Sequence, residues 1–268
     1  MKGTLEEKYH LLKKALKDLG SVVVAFSGGV DSSFLLKASF EALGHDAIGV
    51  TMDSPTLPEM ELERAKEFCK KYGIRHIVQK SSLGNKKFIE NDRLRCYYCK
   101  KDEMKQIKKI AQKYHSALLD GQNLDDEKDY RPGSLAASEL GAISLLKECG
   151  LKKDEIRALS KRSGITSWDR PASACLASRI DYGIKITEPL LKTIDHLETF
   201  LRKKGFKLVR VRHHGKIARI ELGRNELADL FKKGLSQTVL SEFKKHGYCY
   251  VVLDIEGYRM GSMNMAVG

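Results

Sequence analysis

Ser27, Gly28, Gly29, Val30, Asp31, Ser32 and Ser33 follow one another between an apolar stretch and a helix-forming one. Two glycines let backbone N–H groups close on an anion, and the free N–H groups opening a following helix add a positive dipole end. The hydroxyls of Ser27, Ser32 and Ser33 can donate as well. A carboxylate fits such a phosphate site if Asp31 holds a Mg²⁺ that bridges the phosphates. The lysine of the P-loop type is missing, and glycine spacing alone is also what a tight bend requires.

A second group is sulfur-based. Cys96 and Cys99 form a C-x-x-C pair in RCYYCKKD, and Cys175 lies 76 residues after Cys99 in PASACLASR. Two thiolates at this spacing can serve one metal, and a third gives either a three-ligand iron–sulfur site or an incomplete zinc site. Zinc would need a fourth ligand, for which His76 and His115 are candidates. Three thiolates on a [4Fe–4S] cluster leave one iron open for an extra sulfide. The remaining alternative is three unrelated cysteines, since a free cysteine is often a small core residue. Cys69 in a helix, Cys149 near a helix end and Cys249 in a strand are read that way.

Other candidates are single residues or pairs. Arg210 and Arg212 alternate along an expected strand and share one face, where they could grip a phosphate or simply be solvated. Arg179 stands four residues after Cys175, and Arg259 near the end of the sequence given. Glu198, Glu221 and Asp229, each taken alone, read as surface carboxylates. Trp168, Tyr97 and Tyr98 could stack on a cationic ring or pack. His213 and His214 fit a turn.

These residues need elements to hold them. Leucines at helical spacing over residues 4–18 precede SVVVAF at 21–26, a short β-branched run read as a buried strand. A helix pattern through Phe34–Leu43 leads to a strand at 47–52, a helix at 58–72, a strand at 74–78, a helix at 100–114 and a strand at 117–120. Alternation of this kind implies a parallel sheet covered on both faces. Residues 121–132 read as a loop at the carboxyl end of a strand, where open α/β sheets carry sites. A helix follows at 153–163, then the aperiodic segment WDRPASACLASRIDYG, read as a functional loop. From Thr187 a helix (188–204), two strands (207–213 and 216–222) in antiparallel pairing and a last strand at 248–255 predict a small α+β domain. The boundary belongs at 182–187, giving domains of 1–186 and 187–268.

The chain has 268 residues, 42% hydrophobic and 31% charged, with five prolines, which excludes a disordered or low-complexity protein. Forty-eight basic against 35 acidic residues give +13, spread along the length, so anionic partners are expected. No apolar run is long enough for a membrane span, and no secretory leader pattern is visible. Six cysteines in a chain this long do not make a disulfide scaffold, and a reduced, cytoplasmic setting is expected.

The string SGGVDSS resembles the pyrophosphate loop of the PP-loop ATP pyrophosphatases, which split ATP into AMP and pyrophosphate while adenylylating a substrate. Together with MDSPTLP, the CYYCK pair, DGQNLDD, WDRPASACLASRIDYGIKIT, VRHHGKIARIEL and GYRMGSMN, nearly the whole chain resembles the LarE family of ATP-dependent sulfur transferases. The resemblance implies a PP-loop α/β domain followed by a small substrate-binding or oligomerisation domain. It implies sulfur insertion into pyridinium-3,5-biscarboxylic acid mononucleotide, for the nickel-pincer cofactor of lactate racemase. ATP, Mg²⁺ and a [4Fe–4S] cluster are the implied cofactors, the last because Cys96 and Cys99 accompany Cys175; family members without the pair give up the sulfur of the single cysteine and leave dehydroalanine. Cys175 is then catalytic, Asp31 holds Mg²⁺, and Ser27, Gly28, Gly29, Ser32, Ser33, Ser54, Gly121, Arg179, Arg210, Arg212 and Arg259 contact nucleotide or substrate. Glu198, Glu221 and Asp229 fall where the family carries acidic metal ligands at subunit contacts. A homo-oligomer and a sulfur donor are expected partners; nucleic acid and membrane are not. The alternative is a PP-loop tRNA-thiolating enzyme with a three-cysteine cluster, against which stands the lack of any RNA-binding module.

Overall fold

A computed structural model describes residues 3–128, 132–171, 174–259 and 263. The chain divides into two compact units, Met1–Phe88 with Leu94–Ser173, and Ile89–Arg93 with Ala174–Gly268.

In the first unit the strands β1 (Val22–Ala25), β2 (Ala47–Asp53), β3 (Arg75–Lys80) and β4 (Ala117–Leu119) form one sheet in the order β3-β2-β1-β4. All three pairings are parallel, with Val22 opposite both Ala47 and Ala117. Helices α1 (Leu5–Leu19), α2 (Val30–Leu43), α3 (Glu59–Tyr72) and α5 (Arg95–Lys113) alternate with the strands, with the one-turn α4 (Lys86–Ile89) between β3 and α5. Strand alternation then sorts the core. Val22 and Val24 pack with Leu12, Leu16, Phe34 and Leu35 on one face, and Val23 packs with Ile48, Val50, Met104 and Ile107 on the other. A sheet covered on both faces needs apolar residues at successive positions, which is why SVVVAF carries no polar alternation. Thr4 caps α1 in a reciprocal capping box with Glu7, as its sequence position allows.

Three expectations change. The helix expected from residue 100 begins at Arg95, so Cys96 and Cys99 fall within its first five residues. The segment read as a loop over 121–132 contains a 3₁₀ turn at Leu124–Lys128, and α6 (Pro132–Glu139) and α7 (Leu145–Glu148) follow before α8 (Lys153–Arg162). Small residues in PGSLAASE pack α6 against α5 without the apolar stripe that a sequence pattern needs. Residues 129–131 of the polar segment lie outside the described residues.

The second unit holds α9 (Glu188–Lys203), β5 (Val209–His214), β6 (Ile217–Leu222), α10 (Asp229–Lys232), α11 (Ser236–Lys245) and β7 (Tyr250–Leu253). β5 and β6 form the expected antiparallel hairpin, turned at Gly215 with φ of 64°, where a side chain would be strained. β7 is shorter than the expected 248–255 and joins β6 in parallel. Cys249 precedes that strand and is exposed, so its reading as a core residue is corrected; Cys69 and Cys149 are buried.

The division between units falls at Ser173/Ala174, ahead of the expected 182–187. The 3₁₀ turn Leu176–Arg179 packs on α9, and Ile180 bridges to His213, so the segment after Cys175 belongs with the small sheet. Ile89–Arg93 joins it through Asn91, which is fully buried at φ of 59° and donates from Nδ2 to the carbonyls of Asp181 and Ile184, both at 2.8 Å. Asn91→Ala loses both bonds and places an alanine in the left-handed region. We expect a loss of about 2–4 kcal/mol in urea unfolding of the second unit. Asn91→Gly should recover roughly 1 kcal/mol of that loss by relieving the backbone alone.

Candidate active site

β1 ends one residue short of the glycine loop. Gly28 takes φ of 73°, and Gly29 is the N-cap of α2 with no side-chain cap, so the first amides of a 14-residue helix are open to an anion. Two serines shape the loop from within. Ser27 Oγ lies 3.1 Å from Ser32 Oγ, Gly29 N–H donates to Ser27 Oγ at 3.4 Å, and Ser32 Oγ donates to the Gly29 carbonyl at 3.2 Å. Ser33 is almost fully buried in the helix. Gly121, just beyond β4, lies so close that a Cβ there would stand 3.1 Å from Ser32 N. Its lack of a side chain is therefore what lets β4 and the loop meet.

Asp31 is the charged centre of this loop. Its Oδ2 accepts from Lys153 Nζ at 2.6 Å and from Asn123 Nδ2 at 3.4 Å. Its Oδ1 is buried with no hydrogen-bond partner. An acceptor left bare beside open helix amides is what a Mg²⁺ ligand requires, so the residues fit that ion. Burial raises the Asp31 carboxyl above its ordinary value, against the opposing pull of Lys153. Lys153, the first residue of α8, was not among the expected site residues; it brings to the loop the cation that the glycine string lacks. Its sequence signal was only an expected helix start 122 positions away from Asp31.

Ser54, one residue past β2, pairs its hydroxyl with Thr56 at 2.8 Å and lines an open recess with Ser81, Asn85, Cys99, Asp102 and Glu103. Cys99 is half-buried and its thiol donates to Glu103 Oε1 at 3.7 Å, whereas Cys96 is exposed one turn earlier. Both stand at the amino end of a 19-residue helix. His76 is turned elsewhere: its Nε2 lies 2.8 Å from Thr51 Oγ1, and burial lowers its affinity for a proton. Tyr97 donates to Glu139 and receives from Lys101, and Trp168 stacks under Lys161.

In the second unit Cys175 is exposed and free at the N-cap of its 3₁₀ turn. Arg179 is fully buried, and its donors are engaged by the protein itself. They reach the Ala174 carbonyl at 2.6 Å, the Cys175 carbonyl at 2.9 Å and Glu198 at 3.0 Å. Arg179 thus holds the Cys175 backbone. Glu198 and Glu221 are fully buried, which corrects their reading as surface carboxylates; Asp229 is a surface residue paired with Lys233. Arg210 and Arg212 do share one side of β5, and both are buried, not solvated. Arg210 lies over the Tyr258 ring at 5.0 Å, and Arg212 reaches Glu221 at 2.8 Å. Arg259 pairs with Glu256. His213 and His214 end β5 and are bound to Tyr248 and Asp181, each at 2.9 Å. Ala172 and Ser173 of PASACLASR, and residues 260–262 and 264 of GYRMGSMN, lie outside the described residues.

Comparison with known proteins now adds to the geometry. The NAD synthase family matches residues 4–117. A protein of Lactiplantibacillus plantarum, pyridinium-3,5-bisthiocarboxylic acid mononucleotide synthase, is 38% identical over 270 residues, covering 98% of this chain and 95% of its own. An uncharacterised Synechocystis protein is 37% identical over 97% of this chain and 98% of its own. Among solved structures, NMN synthetase from Francisella tularensis matches with a TM-score of 0.53 at 17% identity, covering 64% of this chain and 76% of that one, which is a likeness of fold.

The Asp31–Lys153 pair gives a test. A Mg²⁺-binding Asp31 must be anionic, so ATP binding should weaken as pH falls toward its raised pKa. In Lys153→Met the carboxyl loses its cation and its pKa rises further. Calorimetry should find ATP binding weakened by roughly tenfold, as for one lost charge-assisted contact, with the acid-side decline beginning at higher pH than in the parent. Unchanged binding at every pH would remove Lys153 from the site.

Proposed function

The chain belongs to the family of the pyridinium-3,5-bisthiocarboxylic acid mononucleotide synthase, and from that membership we propose how its residues divide the work. It is an ATP-dependent sulfurtransferase acting on pyridinium-3,5-biscarboxylic acid mononucleotide in the formation of the nickel-pincer nucleotide. The alternative of tRNA thiolation is not supported by that relative, whose name gives a mononucleotide as its product.

The open amides from Val30 onward and the hydroxyls of Ser27 and Ser32 hold the ATP phosphates, and Asp31 would hold Mg²⁺ through its bare Oδ1. A substrate carboxylate oxygen attacks the α-phosphorus, pyrophosphate leaves, and the resulting acyl adenylate carries AMP as leaving group. A sulfur nucleophile then displaces AMP to give the thiocarboxylate. Arg210 and Arg212 grip the phosphate of the mononucleotide. Arg179 keeps the Cys175 carbonyl fixed while its thiol stays exposed. Cys96, Cys99 and Cys175 would be the ligands of a [4Fe–4S] cluster, a soft group suited to thiolate donors. Such a cluster would supply an open iron for a transferable sulfide and would leave Cys175 its own sulfur. An external sulfur donor, a homo-oligomeric state and a cytoplasmic location complete the proposal.

What carries this reading is one observation: a phosphate loop at the start of α2, with an unpartnered Asp31 oxygen, occurs in a chain that shares 38% identity over nearly its whole length with the mononucleotide synthase. Pyrophosphate should appear only when the pyridinium mononucleotide is added, and release without it would sink the acceptor assignment. Arg210→Lys and Arg212→Lys keep the charge but lose the fork. Each should weaken mononucleotide binding by about 1.5 kcal/mol while ATP affinity stays unchanged. The sulfur step is read by intact mass and anaerobic iron content. Cys96→Ala should lose both iron and sulfur transfer. A product protein about 34 Da lighter, from loss of H₂S at position 175, in active iron-free enzyme would overturn the cluster assignment.

A further inference from the structure

His196, Glu242 and His246 take no part in the chemistry above, yet they stand together on the second unit. The nitrogen and oxygen donors of the three all lie within 4.8 Å of one another, the one such group of three histidine, cysteine or acidic residues among the described residues. His196 Nε2 is 2.9 Å from Glu242 Oε1, and His246 Nε2 is 3.5 Å from the same oxygen. The two imidazole rings are 4.8 Å apart and tilted by 43°. Neighbouring ligands on a tetrahedral ion with bonds of about 2.0–2.1 Å stand roughly 3.3 Å apart, so the two measured separations already bracket that value. Glu242 and His246 are four residues apart along and just past α11, and His196 comes from α9, so the cluster spans two elements.

We propose that His196, Glu242 and His246 bind a divalent cation of the zinc class and thereby clip α9 to α11. Two imidazoles and one carboxylate are the donor set of zinc and its transition-metal neighbours; calcium and magnesium prefer oxygen alone. Three protein ligands leave at least one position to water. Lys245 sits 3.5 Å from Glu242 Oε2, which leaves Oε1 for the ion. All three side chains retain solvent access, with His196 about half exposed, so an ion can enter without unfolding. The clip has a structural consequence. α9 also carries Glu198, which holds Arg179 and through it the Cys175 backbone, so an ion between α9 and α11 stiffens the helix on which that support rests.

The test must separate this site from the cysteines, whose thiols can also take zinc. The full chain is stripped with a chelator and titrated with ZnCl₂ against a chromophoric competitor, with CoCl₂ as a spectroscopic probe. The parent should bind one equivalent more than His196→Ala/His246→Ala, while the near-ultraviolet thiolate-to-cobalt absorption is equal in both. Cys96→Ser/Cys99→Ser/Cys175→Ser should retain one zinc, show only the weak visible bands of nitrogen and oxygen ligation, and gain thermal stability from zinc but not from magnesium. Glu242→Gln, which keeps the shape, should weaken that zinc by roughly tenfold or more. Equal zinc stoichiometry in the parent and the double histidine variant, or no zinc held by the cysteine-free protein, would overturn the site. Circular dichroism of each variant without metal confirms that the fold, and not its loss, is being compared.

Discussion

Parallel pairing of β1 with both β2 and β4 is the constraint from which the nucleotide half of this protein follows. Strands that run the same way must each be left and re-entered by a crossover, so all four of their carboxyl ends fall on one edge of the sheet. Ser27, Ser54, Ser81 and Gly121 lie one or two residues beyond β1, β2, β3 and β4. Residues nearly a hundred positions apart therefore arrive at one place without any attraction between them. Side chains extend the ladder past the last strand pairings: Phe26 N–H donates to the Val50 carbonyl, Thr51 Oγ1 donates to the Phe26 carbonyl, and His76 closes on Thr51. This fixes the direction in which the glycine loop departs. Gly121 then completes the fit, because any side chain there would push Ser32 and the start of α2 away from β4.

The second unit is organised by buried charge instead. Glu198 is fully buried and receives Arg179, Arg202 and the Val211 amide, tying the 3₁₀ turn, α9 and β5 to one carboxylate. Burial alone would push its carboxyl up; Arg179, then Arg210 and Arg202, outweigh that and hold it below its ordinary value. Such a network contributes less net stability than an apolar core of equal size, because desolvating each ion is costly. What it supplies is an excess of cations. Glu198 and Glu221 meet Arg179, Arg202, Arg210, Arg212 and Arg219, with Asp254 also reaching Arg219, so the guanidiniums outnumber these carboxylates. Burial and the neighbouring Arg179 lower the Arg210 pKa, an indication that an added anion would be welcomed there. A phosphate monoester is an anion of suitable charge and geometry for such a surplus.

The sequence disclosed the βα alternation because short β-branched runs separated by amphipathic helices leave little choice of architecture. The glycine loop was legible for the same reason, since its position between strand and helix is part of its chemistry. The partners of these residues were not. Lys153 meets Asp31 through the packing of α8 on α2, a distance in space that no local pattern encodes. Glu198 and Glu221 looked like surface carboxylates because a charged residue on a helix or strand usually is one; only the arginines arriving from other elements permit their burial. α6 was missed because alanine, glycine and serine give no hydrophobic period, although they are what lets α5 and α6 approach closely. The unit boundary was placed too late because Cys175–Arg179 reads as loop, and its allegiance is set by hydrogen bonds to Glu198 rather than by composition.

The anchoring of Cys175 bears on how a sulfur atom can be delivered repeatedly. Arg179 and Ser178 both bond to its carbonyl, at 2.9 and 2.7 Å, so the main chain is held while the side chain is left exposed. A cysteine that surrenders its sulfur requires only one such thiol. Cys96 and Cys99 are set on different mechanical footing, one turn apart at the start of a 19-residue helix, with Cys99 partly sheltered beside Glu103. A pair fixed at helical spacing has its separation determined before any metal arrives, which lowers the ordering cost of binding two thiolates to one group. The rigidity of α5 and the anchoring of Cys175 are thus separate features: the first fixes the spacing of two thiols, and the second fixes one cysteine's main chain while its side chain stays exposed.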